Sequence, residues 1–312
     1  MTLHTRLSYV AILAGVFLNS CCAQDLAPRA YLITPLHSNA VTLSWAFYNG
    51  DIDYNGALPI SESKGKYSVP GLSYYHSFGF FGRSANVVAS LPYGVGNFQG
   101  ILDTEQHLYR SGMADSVFRF SVNLKGGPAM PVEKFVKWKQ KVLLGTSLKV
   151  IFPTGQYDPT DLINWGANRW SFKPEFGYSQ RRGHLVLDGY VGAWLFTTNK
   201  DFWSRNAYYA GTRSQSERPI VASEGHLSYD FKPGLWTSLD GNFWFGGETT
   251  VQGIENPLSR QTNSRLGATV AVPIIRRQSL KVSYSNGTYT RFGGDYQNVS
   301  VGWQYSWLGR PN

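Results

Sequence analysis

The chain has 312 residues, 16% of them charged, with a formal net charge of +9. It carries 10 Trp, 19 Tyr, 18 Phe and 33 Gly. A disordered chain is excluded, because it would be charge-rich and poor in aromatics, and so is a coiled coil or helical repeat, which needs Ala, Glu, Lys and Leu in bulk. No run reaches the ~18 apolar residues of a membrane-spanning helix, so aromatic and glycine richness leaves an all-β fold as the leading class.

The first element is a leader. Arg6 gives it a positive start, and residues 7–18 form an apolar core too short to span as a helix. Cys21-Cys22-Ala23 then places small residues before a cleavage site, the pattern of a secretory signal peptide. The spacing predicts a signal peptide at 1–23, cleaved after Ala23. A second reading is a lipobox at Leu18-Asn19-Ser20-Cys21, with Cys21 acylated. Both cysteines lie in this leader. Cleavage after Ala23 therefore leaves no disulfide, no catalytic cysteine and no cysteine-held zinc.

Residues 24–38 follow as an N-terminal periplasmic segment, and past residue 38 one pattern repeats. About ten residues alternate in hydrophobicity, then a turn follows. In residues 41–47 the large apolar side chains Val41, Leu43, Trp45 and Phe47 take every second place. The next connection, Asp51-Ile52-Asp53-Tyr54-Asn55-Gly56 to Glu62, fits the spacing of a calcium loop. Asp51, Asp53, Asn55 and Glu62 are its candidate oxygen ligands. The flanks read as strands rather than EF-hand helices, so the alternative is an acidic, turn-rich outer loop. Gly94-Val95-Gly96-Asn97 is no dinucleotide fingerprint, because no helix follows it. Residues 114–124 alternate again, with Asp115, Arg119, Ser121 and Asn123 on the polar face. Residues 170–178 put Trp170, Phe172, Phe176 and Tyr178 on one face and Lys173 and Glu175 on the other. The last strand has Val299, Val301, Trp303, Tyr305 and Trp307 on one face.

Twelve such segments are predicted, at 39–48, 67–78, 83–93, 114–124, 141–152, 169–179, 184–197, 220–230, 236–245, 264–273, 279–286 and 296–307. Their connections alternate in length. Those at 49–66, 94–113, 153–168, 198–219, 246–263 and 287–295 are mostly long; those at 79–82, 180–183, 231–235 and 274–278 are short. The connection at 125–140 breaks the rule and holds a helical turn near 131–139. An up-and-down outer-membrane barrel has short periplasmic turns, long outer loops and an even strand count. A sheet in lipid has to close, because no water satisfies an open edge. The fold expected is a transmembrane antiparallel β-barrel of about 12 strands, one domain over 39–312. A soluble β-sandwich is the competing all-β reading.

The short-turn rim is basic. It holds Arg83, Lys125, Lys134, Lys137, Lys139, Arg181, Arg182, Lys232, Arg276 and Arg277 against one acid, Glu133. Such a rim suits anionic lipid head groups as well as plain solvent. The loop aromatics Phe202, Trp203, Tyr208, Tyr209 and Trp165 are expected at the lipid interface, with solute capture as the other reading.

The residues resemble a known family, the putative MetA-pathway of phenol degradation proteins, whose members are exported bacterial outer-membrane barrels. The matching stretches are Ser84-Ala85-Asn86, Leu91-Pro92-Tyr93, Gly112-Met113-Ala114-Asp115 and Gly127-Pro128-Ala129-Met130. The most distinctive is Phe152-Pro153-Thr154-Gly155-Gln156-Tyr157-Asp158, continued by Trp165-Gly166-Ala167-Asn168-Arg169-Trp170-Ser171-Phe172-Lys173-Pro174-Glu175. Glu224-Gly225-His226-Leu227-Ser228-Tyr229-Asp230-Phe231, Gly246-Gly247, Arg265-Leu266-Gly267-Ala268 and Pro273 follow. The resemblance implies location and fold; it brings no catalytic residues.

The candidate site is the lumen. Asp115, Arg119, Lys173, Glu175, Glu224, His226, Asp230, Asp240 and Arg265 are predicted to face it. An acid such as Glu224 is expected near Arg265, where both charges escape lipid. His226 beside Ser228 offers an enzyme reading, but two residues apart on one strand is same-face spacing, not a nucleophile–base contact. The function expected is passage or uptake of small molecules, with aromatic or other hydrophobic compounds as candidate solutes. The alternatives are an outer-membrane hydrolase and a plugged structural barrel. Outer-membrane lipid and a small solute are the expected partners, with no nucleic acid, no catalytic residue and no cofactor beyond the candidate calcium.

Overall fold

Period-two alternation makes strands that must bury one face, and a long run of them closes on itself. The computed structural model describes residues 26–53, 61–102, 104–161, 163–206 and 209–309. The signal-peptide reading at 1–23 lies outside the described residues. The strands are β1 (Ser38–Asp53), β2 (Ser61–Phe80), β3 (Arg83–Leu102), β4 (Thr104–Met113), β5 (Ser116–Lys125), β6 (Val142–Phe152), β7 (Ser171–Arg182) and β8 (Leu185–Phe196). They continue as β9 (Gln215–Glu217), β10 (Ile220–Lys232), β11 (Leu235–Gly246), β12 (Thr249–Val251), β13 (Ile254–Asn256), β14 (Gln261–Ile275), β15 (Gln278–Thr290) and β16 (Gly293–Leu308).

Neighbours in the main sheet are antiparallel, and β16 returns to pair with β1 from Ser38↔Leu308 to Asp53↔Gly293. The strands β4 and β5 pair with two halves of the same strand, β3. They act as one spanning strand kinked at Ala114-Asp115. The result is a closed barrel of 12 spanning strands. Short hairpins and both barrel ends share one rim. Gly183 (φ 60°) and Gly234 (φ 81°) close two of those hairpins in the left-handed region, which glycine enters without strain. The expected helical turn falls at Val132–Phe135.

The outward face is apolar. Phe176, Leu239 and Leu266 are each more than 60% exposed, and Leu43, Trp45, Leu187, Val191, Leu227 and Phe243 are exposed with them. Every second residue between them turns into the lumen. This is the reverse of a soluble sandwich, whose large apolar side chains go inside.

Three connections differ from the sequence expectation. The 49–66 connection is partly strand, since β1 runs to Asp53 and β2 starts at Ser61. Much of 287–295 is strand as well, with β15 reaching Thr290. The expected loop 94–113 is a β-hairpin, paired from Tyr93↔Met113 to Leu102↔Thr104. Its glycines are close-approach positions rather than turns. A Cβ on Gly96 would stand 2.4 Å from the Tyr67 Cβ, and one on Gly94 would stand 2.0 Å from the Trp165 ring. These contacts seat the hairpin on a cluster of Ile52, Tyr67, Phe98, Trp165 and Tyr296.

The segment before β1 is inside the barrel, not beneath it. From residue 26 it lies against the lumen face of β5, β6, β7, β8, β10 and β14. Its backbone is satisfied by the wall: the Ala30 N–H donates to the Tyr190 hydroxyl at 3.0 Å, and the Ala30 carbonyl accepts from Arg119 at 3.3 Å. Near the short-turn rim, the Leu36 N–H donates to the Met130 carbonyl and the His37 N–H to the Ser77 carbonyl. A chain with no apolar alternation has no place in the wall, and this one is taken up by the polar interior.

Candidate functional site in the barrel lumen

Side chains on β5, β6 and β7 set three cations abreast, because Arg119 pairs with Lys149 and Lys149 with Lys173 in the strand register. Buried charge needs opposite charge and hydrogen bonds nearby. Lys173 Nζ lies 2.7 Å from Glu175 Oε2 and 2.9 Å from Glu224 Oε1. Arg119 approaches Glu175 Oε1 at 3.8 Å. The expected partner of Glu224, Arg265, instead donates to the Ser285 hydroxyl at 3.0 Å and the Tyr296 carbonyl at 2.9 Å. Asn242 stands between Glu224 and Arg265 in the register, and that one strand of separation gives Glu224 to the lysine.

On the next strands, His226 Nδ1 lies 2.8 Å from Asp240 Oδ1. Asp240 also accepts from the Ser238 hydroxyl at 3.1 Å and the Thr269 hydroxyl at 2.8 Å. His226 Nε2 lies 3.6 Å from Glu224 Oε2. Asp230 sits at the short-turn end, 2.7 Å from Arg29 and 2.5 Å from Arg181.

Asp115 has a different task. Its carboxylate accepts the Gly155 N–H and the Ala167 N–H, each at 2.8 Å. It therefore ties the outer connection 153–170 into the barrel mouth at the β4–β5 kink. That connection carries Trp165 inward.

The nine predicted lumen residues all face inward or line the mouth. Lys173, Glu175, Glu224, His226, Asp240 and Arg265 are buried, as is Asp115; Arg119 and Asp230 are partly exposed. Sequence reasoning missed Tyr31, Lys149 and Lys281. The two lysines have the inward parity of their strands and were within reach of the pattern. Tyr31 precedes every strand and carries no such signal.

Of the calcium candidates, three lie within the described residues. Asp51 and Asp53 lie on extended β1 with exposed side chains, and Ile52 between them is buried in the aromatic cluster. Glu62 is on β2, and Asn55 lies outside the described residues. Among the described residues, no three His, Cys, Asp or Glu side chains are grouped to hold a metal. The loop aromatics are not at a lipid interface: Phe202 and Trp203 are buried and pack with Tyr209, and the Arg213 guanidinium lies 3.8 Å from the Tyr209 ring centroid. Tyr208 lies outside the described residues.

Between the outer mouth and the N-terminal segment the lumen holds a cavity of about 420 Å³. Leu26 touches it from the segment, and Trp165 and Ala167 from the outer connection. Tyr48, Tyr67, Trp194 and Ile151 line it, together with Lys149, Lys281 and hydroxyls such as Ser283 and Ser300. A ligand site is commonly a concave apolar space with a few placed polar groups.

A family model described as Putative MetA-pathway of phenol degradation matches residues 49–307. An outer membrane channel from Pseudomonas putida F1 superposes with a TM-score of 0.74 at 17% identity, over 91% of this chain and 100% of that one. The β domain of the Bordetella autotransporter BrkA superposes with a TM-score of 0.54 at 10% identity, over 86% of this chain and 100% of that one. No curated protein matches the chain.

Proposed function

We propose that this chain, which belongs to the Putative MetA-pathway of phenol degradation family, is an outer-membrane barrel through which small molecules pass. The observation that carries the reading is the cavity of about 420 Å³ held inside a closed barrel wall. A solute enters past the aromatic cluster at the mouth and is held between Trp165 above and the N-terminal segment below. Passage onward requires that segment to move. The Lys173, Glu175 and Glu224 network, with Arg119, forms the bed on which it rests. The aromatic lining favours aromatic or other hydrophobic compounds as solutes.

The reading includes no catalysis. His226 gives Nδ1 to Asp240, and its Nε2 faces the Glu224 carboxylate rather than a hydroxyl. A nucleophile needs its base within hydrogen-bond reach.

The test is ion conductance of the refolded mature protein in a planar lipid bilayer. Discrete steps are expected, and larger ones when residues 24–37 are removed. Silence from both proteins, with insertion demonstrated, would overturn passage and leave a plugged structural barrel.

A further inference from the structure

Lys281 has no use in the network just described. It lies on β15, directly opposite Gly302 and Ala271 in the register. Gly302 in turn faces Ser44 on β1. Its side chain is exposed to the lumen water and lines the cavity. It makes no hydrogen bond or ion pair among the described residues. Around it the wall is small and uncharged: Gly302, Ser44, Ala271 and Ser283.

Two acids line the same cavity, Asp115 and Asp240. Both are already filled. Asp115 holds two backbone N–H groups, and Asp240 holds His226 and two hydroxyls. The donors are the groups left over. Besides Lys281, the buried indole N–H groups of Trp165 and Trp194 meet no acceptor among the described residues. A cavity whose carboxylates are engaged and which keeps an ammonium and indole N–H groups spare calls for a ligand that accepts.

The far end of the cavity is aromatic. Tyr48 and Tyr67 stack at 4.7 Å, and Trp165 stands edge-on to Tyr67 at 5.9 Å. Tyr48 is four residues along β1 from Ser44, the Lys281 level, which at the strand rise is about 13 Å. That is room for one ring and a short chain.

We infer that the cavity takes an amphipathic anion, a carboxylate held at Lys281 with an aromatic or apolar body lying toward Tyr48, Tyr67 and Trp165. This rests on the cavity being the solute site of the passage reading. A neutral molecule of the same shape leaves Lys281 unmet, and a small acid without a ring leaves the aromatic end unfilled.

Calorimetric titration of the refolded mature protein in non-ionic detergent tests it, with phenylbutyrate, phenylbutanol and butyrate as probes. Phenylbutyrate is expected to bind about tenfold more tightly than phenylbutanol, the value of one charge-assisted hydrogen bond. Lys281→Gln should remove that preference, and Lys281→Arg should keep it. Lys281 is exposed and unpaired, so neither change threatens the fold. Equal binding of acid and alcohol, or a preference that survives Lys281→Gln, would overturn the inference. Butyrate binding as well as phenylbutyrate would overturn its aromatic half. Binding without bilayer conductance would leave this inference standing and remove passage, while conductance without the acid preference would do the reverse.

Discussion

Tyr31 is the residue that seats the N-terminal segment, and removing it should unseat the segment. The side chain is 1% exposed. Its hydroxyl lies 3.0 Å from the Ser147 hydroxyl and 2.9 Å from Glu175 Oε1. Its ring meets Tyr190 edge-on at 5.1 Å, and the Arg119 guanidinium lies 5.0 Å from its centroid. It rests on two glycines: a Cβ on Gly145 or Gly177 would stand 2.3 or 2.1 Å from ring atoms. Truncating a buried aromatic costs about 3 kcal/mol or more. Tyr31 precedes β1, so the loss falls on the seating of the segment rather than on the barrel. About 3 kcal/mol shifts the seated-to-unseated ratio by roughly a hundredfold. The readout uses residues 24–312, which contain no cysteine. A single Ala30→Cys change reports opening by its rate of maleimide labelling, which follows the open population when opening is fast. Adding Tyr31→Ala should raise that rate about a hundredfold, and Tyr31→Phe by several-fold, the worth of about 1 kcal/mol of hydrogen bonding. Labelling at the same rate in all three proteins would refute the seating argument.

Three other substitutions follow from the same geometry. Lys173→Met leaves Glu175 and Glu224 facing one another without their shared cation; it should cost about 3–5 kcal/mol, read as a lower urea midpoint for loss of heat-modifiable migration, and more than Glu224→Gln. Asp115→Asn removes an acceptor from Gly155 or Ala167; about 1–3 kcal/mol of local stability should be lost, seen as faster chymotrypsin cleavage at Tyr157 or Trp165 with the barrel intact. Arg169 pairs with Glu217 in the outer connections, with both side chains buried, and lies 4.3 Å from the Phe196 ring centroid. Arg169→Met strands the Glu217 carboxylate and should loosen the outer connections by about 3–5 kcal/mol, measured as lost amide-exchange protection over 213–219.

The wall was legible because its signal is local. Lys173 and Glu175 alternate with Phe172, Phe176 and Tyr178 on one short segment, and parity alone sends the charges inward. The same parity reaches Glu224, His226, Asp240 and Arg265. What parity does not carry is the slant of one strand against the next, so it paired Glu224 with the wrong cation. Glycine misled in the opposite direction. Gly94 and Gly96 fall in the connection expected at 94–113, yet they lie in a strand, each small so that Trp165 or Tyr67 can press against the backbone. That demand comes from residues far along the chain. The segment at 26–37 was harder still, since its conformation is set by the cavity it enters. Asp115 was read as lumen lining from its face, and only the folded connection 153–170 shows the two N–H groups it holds.

The position of the segment and the position of the cavity have one cause. Charged and aromatic side chains crowd the inner faces of β5, β6, β7, β8 and β10: Arg119, Lys149, Lys173, Glu175, Tyr190 and Glu224. They offer the partners that a backbone without strand neighbours must find, and the segment settles there. Around the Lys281 level the inner faces offer Ser283, Gly302, Ser300 and Ser44 on β15, β16 and β1 and Ala271 on β14, all short side chains, and the segment meets β14 farther along, where Leu26 packs on Gly267. Space remains on that side. Lys281 is the long side chain at that level, and the two acids that line the cavity are engaged elsewhere, Asp115 by the Gly155 and Ala167 N–H groups and Asp240 by His226, Ser238 and Thr269. Filling that side would test the division. Ser283→Trp and Ser300→Trp should lower bilayer conductance severalfold while leaving Ala30→Cys labelling unchanged, because they narrow the space beside the segment without touching its seat. Conductance that survives both changes would place the route through the segment itself.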